Sequence, residues 1–264
     1  MVKDLSIIIS TYKNTKYLTE CFNSILNSVK DYDVEVIVGI DGCLETVNFL
    51  KSNKFNEKIN FYFFHKNQGP YIVKNSLIKL TNSENILIFD SDDIMCEDMI
   101  NDIIVNIKKH LVVKPIYIDF FDGTKIDLKS KKIASEGIFA IRKELILKFN
   151  GFEPWICGAD TELSLRLLNN GIKFKFINEK ILFYRRIHEQ GLTSRKDTGG
   201  GSDLRRMYND RIINKNYRGP LSELHTSEFC TLDSINHKKV QEINDLFLDK
   251  EKNKKIISEI LKSS

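Results

Sequence analysis

The 264-residue chain lacks most of the features that would set it apart from ordinary globular proteins. Its five cysteines (Cys21, Cys43, Cys96, Cys157 and Cys230) are odd in number, scattered and without a CxxC pair. Neither a disulfide framework nor a structural zinc site is therefore expected, and a reducing compartment is the simpler reading. No repeat of fixed period and no low-complexity tract interrupts the chain. No apolar run approaches the length that crosses a bilayer, and the first residues enter a β-like run with an acid at Asp4 rather than a signal-peptide core. An excess of one charge is missing too: 40 Lys and Arg stand against 36 Asp and Glu, a net charge of +4, too weak to point to nucleic acid by itself. The expectation is a cytoplasmic protein, with peripheral contact at the inner membrane face left open.

What is present is 42% hydrophobic residues, enough for a full core, and one local feature of unusual chemistry. Ile86-Leu87-Ile88-Phe89 ends abruptly in Asp90-Ser91-Asp92-Asp93. An apolar run bounded by polar residues reads as a buried, parallel-type strand, and open α/β sheets bind ligands where such strands end. Three clustered carboxylates repel one another unless a cation or hydrogen-bond donors offset them, and oxygen ligands suit Mg²⁺ or Mn²⁺. A solvated acidic turn is the plain alternative.

Three further runs precede this one. Leu5–Ser10, Val34–Ile40 and Ile59–Phe64 read as strands. The helices between them are marked by Leu18, Cys21, Phe22 and Ile25, by Leu44–Leu50, and by a helix that opens at Gly69-Pro70. Four strand-helix alternations with short connections predict a doubly wound, mostly parallel sheet flanked by helices. Beyond the acidic triplet the pattern changes. A further helix carries Ile100, Ile103, Ile104 and Ile107, and a hairpin is predicted from Ile116–Phe121 and Thr124–Leu128 around Asp122-Gly123. Gly137–Ala140, a helix over Lys143–Phe149, a helix after Asp160 and strands Ile172–Ile177 and Ile181–Tyr184 follow. The alternative for Asp160 is a simple helix cap. Arg195–Ser202, with three consecutive glycines, reads as a loop or linker, which sets the expected division at 1–195 and 196–264, the second part a helical C-terminal extension.

The order of these pieces resembles the family 2 glycosyltransferases of the GT-A fold. The resemblance covers roughly residues 3 to 195 and rests on four features in sequence: Ser6-Ile7-Ile8-Ile9-Ser10-Thr11-Tyr12, Asp41 at the second strand end, Asp90-Ser91-Asp92-Asp93, and Gly158-Ala159-Asp160-Thr161-Glu162 with the apolar helix behind it. Two positions depart from the pattern. Ala159 stands where the family usually has an acid, and Ser10 where its first strand usually ends in proline.

Membership implies an inverting transfer from a nucleoside diphosphate sugar, UDP-linked by preference, to a hydroxyl of a glycan. It also implies a role for particular residues. Asp160 becomes the general base and Glu162 the reserve; Ser10, Thr11, Tyr12, Asp41, Lys74, Asp90, Asp92 and Arg185 become donor contacts. Trp155 and Gly158 become acceptor contacts, and Asp92, Asp93 and His188 ligands of Mn²⁺ or Mg²⁺. Arg186 and the Arg195-Lys196 pair are expected near phosphate or in a lid. The rivals are weaker: a haloacid-dehalogenase phosphatase needs its acidic motif on the first strand, and a sugar nucleotidyltransferase needs a glycine-rich phosphate loop that Thr11–Asn14 does not supply. A catalytically silent binding module of the same fold and a non-glycan acceptor (protein, lipid or a modified nucleic-acid base) are the remaining alternatives.

Overall fold

A computed structural model describes residues 3–53, 55–214 and 223–232. In chain order the elements are β1 (Leu5–Thr11), α1 (Thr15–Ser28), β2 (Val34–Asp41), α2 (Leu44–Ser52), β3 (Ile59–Phe64), α3 (Pro70–Ile78), β4 (Asn85–Asp90) and β5 (Ile94–Met95). They continue with α4 (Met99–Ile107), β6 (Val112–Phe121), β7 (Ile133–Ala134), β8 (Phe139–Arg142), α5 (Lys143–Lys148), α6 (Ala159–Asn169), β9 (Phe174–Ile187), α7 (Asp203–Ile213) and β10 (Phe229–Thr231).

One sheet runs in the order β10-β3-β2-β1-β4-β8-β6-β9-β5, with β7 paired to β6. The segment β3-β2-β1-β4 is parallel. Next, β8 is antiparallel to both of its neighbours, while β6 and β9 run parallel to each other. The predicted parallel half and the added antiparallel elements are both present. Because β1 lies between β2 and β4, connections leave it in opposite directions, and such a switch point opens a crevice beyond the strand ends.

Side-chain alternation along the parallel strands builds two cores, one on each face. Leu5, Ile7 and Ile9 of β1 join Leu87 and Phe89 of β4 against Phe22 and Ile25 of α1, Val47 of α2 and Ile103 of α4. Ile8, Ile86 and Ile88 point the other way, onto Val73 and Leu77 of α3, Ile146 of α5 and Leu163 of α6. Burial on both faces accounts for the unbroken apolar runs that announced these strands.

Three expectations are corrected. Thr124–Leu128 forms no strand: it is largely exposed, Leu128 by 64%, and Asp127 Oδ1 turns the chain by accepting the Lys129 amide, so the antiparallel pairing expected of it with β6 is made by the later Ile133–Ala134, alongside that of β8. Ile172–Ile177 and Ile181–Tyr184 are one strand, β9, whose register on β6 shifts at Pro115–Tyr117. Arg195–Ser202 forms consecutive turns rather than a free linker, the Gly199 amide donating to the Arg195 carbonyl at 2.7 Å, and Ser202 caps α7. Beyond it, β10 extends the sheet at β3, while the expected lysine-rich helical end lies outside the described residues.

Candidate active site

A cavity of about 870 Å³ opens beyond the ends of β1, β2 and β4 and is closed on the far side by the Glu136-Gly137 loop, the start of α6 and residues 188–205. Ser10, Thr11, Tyr12, Asp41, Lys74, Asp90, Asp92, Asp93, Gly158, Asp160, Arg185 and His188 all line it. Residues as far apart in sequence as Ser10 and His188 are thus gathered at the sheet edge.

Asp41 ends β2 and is buried. Its Oδ1 accepts the Gln68 amide at 2.6 Å and its Oδ2 accepts the Gly69 amide at 2.9 Å. Burial raises its carboxyl to about 6 even though both amides favour the charged form. Thr11 presents a buried hydroxyl with no partner among the described residues, and Tyr12, 40% exposed, stands at the rim. Beside them, Asn14 does not cap α1 with its side chain but donates to Ser91 Oγ at 2.9 Å, tying the β1 exit to the acidic loop.

The three carboxylates behave differently from one another. Asp90 Oδ1 accepts from the buried Lys74 ammonium at 2.9 Å. Burial raises the Asp90 carboxyl, the Lys74 charge opposes that, and Asp92 adds to it. Asp92 Oδ2 meets His188 Nε2 at 2.8 Å, while the other ring nitrogen of His188 is buried with no partner among the described residues. Asp93 is buried, its Oδ1 accepting the Arg186 amide at 2.9 Å. Burial, and then repulsion from Asp92 and Asp90, holds its carboxyl well above the usual range. Arg186 spans the back of the loop, donating to the Asp92 carbonyl and pairing with Asp122 and Glu20. Arg185 is committed to Asp119 through two hydrogen bonds, of 2.6 and 3.0 Å, and stacks over Tyr117.

Among the described residues, no group of three or more His, Cys, Asp or Glu side chains forms a metal cage. That does not oppose Mg²⁺ or Mn²⁺, which commonly takes one or two protein groups and completes its shell with phosphate and water. The chemistry of the donor set fits: Asp92, Asp93 and His188 line one wall, and the repulsion of Asp93 by Asp92 and Asp90 is what a divalent charge would relieve.

Asp160 lies in the first turn of α6 but does not cap it. Gly158, with φ at +80°, takes that position, so the Asp160 carboxylate is released from the helix end. Its Oδ1 accepts the Tyr71 hydroxyl at 2.8 Å, and its Oδ2 lies 3.0 Å from where a side chain on Gly137 would begin. Asp90 Oδ2 is 3.7 Å from the same point, so the two acids converge above a residue with no side chain.

Two expected site residues are elsewhere. Glu162 does not line the cavity; it is fully buried, held by the Arg166 guanidinium at 2.7 and 2.8 Å. Arg166 also donates to the Phe149 and Gly151 carbonyls, so the pair anchors α6 to the turn after α5 and is structural, not catalytic. Trp155 is buried too, its indole stacked 4.4 Å from Tyr208 of α7, which leaves Ile156 as the exposed apolar wall. Conversely, Tyr71 and Gly137 escaped the sequence analysis. A tyrosine behind a helix-starting proline and a glycine before an apolar strand carry no local mark of chemistry.

An open α/β sheet with acidic strand ends around a cleft at its switch point is a ligand-binding architecture, and comparison with known proteins narrows it. Residues 6–166 match the family described as Glycosyl transferase family 2, more than half of the chain, and the chain belongs to that family. It is 34% identical over 91 residues to an uncharacterized glycosyltransferase of Rickettsia bellii, a match covering 34% of this chain and 13% of that protein. It is 31% identical over 107 residues to the Staphylococcus aureus poly(ribitol-phosphate) beta-N-acetylglucosaminyltransferase TarP, covering 39% of this chain and 32% of TarP. The chain thus spans less than a third of the length of either relative. The crystal structure of S. aureus TarS 1–349 in complex with UDP-GlcNAc superposes with a TM-score of 0.62 at 20% identity, over 84% of this chain and 68% of that one. That likeness concerns the fold. No helix among the described residues is long and apolar enough to cross a membrane.

Proposed function

We propose that this domain is an inverting, divalent-cation-dependent glycosyltransferase that moves a sugar from a UDP-linked donor to a hydroxyl of a glycan acceptor. The observation that carries the reading is the convergence, in one cleft, of a carboxylate held by backbone amides at Asp41, an acidic wall at Asp90–Asp93 with His188, and Asp160 facing that wall across Gly137. Family membership and the UDP-GlcNAc complex of TarS support the donor class.

Each residue then has a task. Asp41 accepts the ring N–H of the uracil, and Tyr12 lies against that base. Asp90, steadied by Lys74, accepts from donor hydroxyls. Asp92, Asp93 and His188 would hold a divalent cation, which would supply positive charge against the charge developing on the diphosphate. Asp160 takes the proton from the acceptor hydroxyl; that oxygen bonds to the anomeric carbon as the bond to the β-phosphate breaks, and its electron pair leaves with UDP. Attack from the Asp160 side, opposite the diphosphate, inverts the anomeric centre.

A panel of UDP-sugars tested with Mn²⁺ for protection against thermal unfolding, then for slow hydrolysis, identifies the donor. On that donor, Asp160→Asn is expected to bind as before and to turn over about 10²- to 10⁴-fold more slowly, the usual contribution of a general base. Donor binding with near-native turnover in that variant removes the assignment, and protection by no UDP-sugar removes the donor class.

A further inference from the structure

Resting on Asp160 as the base, we propose that Tyr71 is its positioning residue: the phenol holds one carboxylate oxygen so that the other, Oδ2, faces the acceptor hydroxyl. An unrestrained aspartate rotates about its last torsion and presents either oxygen. Here Oδ1 is engaged at 2.8 Å, and Oδ2 is left over the open space at Gly137. The clamp is itself held rigid. Tyr71 is buried, its ring 5.3 Å from Phe152 and 5.6 Å beneath the Lys74 ammonium. Burial, and then the adjacent Asp160 charge, pushes the phenol well above its ordinary range, so it stays a donor at working pH.

The backbone adds a second constraint. Tyr71 lies two residues after Gly69, whose amide is held by Asp41, and one turn before Lys74, which holds Asp90. The base is therefore positioned from the same helix that meets the donor wall. Asp160 and Asp90 each give one oxygen to α3 and direct the other toward Gly137.

Tyr71→Phe keeps the ring packing and removes only the hydroxyl. Using whichever UDP-sugar of the panel is hydrolysed fastest, kcat should fall about ten- to a hundredfold with KM for the donor unchanged. In an Asp160→Asn background the same change should cost nothing more, because the two residues act as a unit. A reading free of turnover is the Asp160 carboxyl carbon resonance at neutral pH, which should move in Tyr71→Phe and stay in place in Tyr62→Phe, a tyrosine packed against Phe229 on β3. Gly137→Ala, which crowds Oδ2 from the opposite side and leaves Tyr71 intact, should also lose kcat. Native kcat in Tyr71→Phe with an unmoved resonance overturns the role of Tyr71 while leaving the base in place. Native turnover in Asp160→Asn overturns the base, and this inference with it.

Discussion

At the scale of single residues, function here is set by what each carboxylate already holds. Glu162 and Asp160 are two residues apart on one helix, yet Glu162 is spent on Arg166 in the core while Asp160 keeps an oxygen for the cavity. Asp41 shows the same logic with a measurable consequence. Its carboxyl is raised to about 6 by burial, so between the ordinary value near 3.8 and about 6 the folded chain binds a proton that the unfolded chain does not. At this site stability is accordingly greatest at low pH and is lost as pH rises through about 6. In the proposed role Asp41 accepts the uracil N–H most strongly as the carboxylate, so UDP affinity should move the opposite way. It should be constant above about pH 7 and fall toward tenfold per unit below pH 6, as read by titration calorimetry across pH 5 to 8. Asp41→Asn should bind weakly and flatten that profile.

At the scale of elements, α3 organises the cleft. Its N-terminal loop gives amides to Asp41, its first turn gives Tyr71 to Asp160 and its second gives Lys74 to Asp90, while Asn75 exchanges hydrogen bonds with the Phe152 backbone. Arg166 grips the same turn, at Phe149 and Gly151, from α6. The two helices that face the cleft are therefore referenced to one short stretch of backbone. Gly69 starts α3 with φ at +87° and ψ at 156°, a conformation reached essentially by glycine alone. A side chain there would meet its nearest atoms at 3.7 and 3.9 Å, ordinary contacts, so the cost of substitution is in the backbone. Gly69→Ala should destabilise by about 1–3 kcal/mol. Thermal unfolding should show a drop of about 2–10 °C, and UDP affinity should weaken with it because the Asp41 amides move.

At the scale of the whole molecule, the described residues after 195 pack onto the sheet and its cleft. Arg205 donates to the Thr198 and Leu192 carbonyls, Tyr208 covers Trp155, and β10 lies against β3, with Phe229 packed on Tyr62 and Phe64. The far wall of the cavity is made in part by these residues, so the cleft depends on them. Trp155 is the joint. Trp155→Ala should cost about 3–5 kcal/mol through lost burial and the void left behind, lowering the melting temperature by roughly 10 °C. A double-mutant cycle with Tyr208→Ala should return a coupling of about 0.5–1.5 kcal/mol from the stacked pair. Coupling near zero would place the Trp155 contribution elsewhere in the core.

The amino-acid sequence by itself determined the parallel half of the sheet, because strands buried on both faces must be continuous apolar runs, and these are visible without any partner. It also marked the carboxylates of the cleft, since acids placed directly after such runs have no packing role to explain them: Asp41, Asp90, Asp92 and Asp93 were all legible in this way. Asp160 was legible through the family pattern around it. Only the tertiary structure decided between neighbours of identical chemistry, giving Glu162 to Arg166 and releasing Asp160 from the helix cap to Tyr71. It alone buried Trp155 under Tyr208 and set Gly137 between two acids. The physical reason is common to these cases. A charged or aromatic side chain reveals its type along the chain, but which group satisfies it depends on elements brought together from distant positions, and that assignment exists only in the folded molecule.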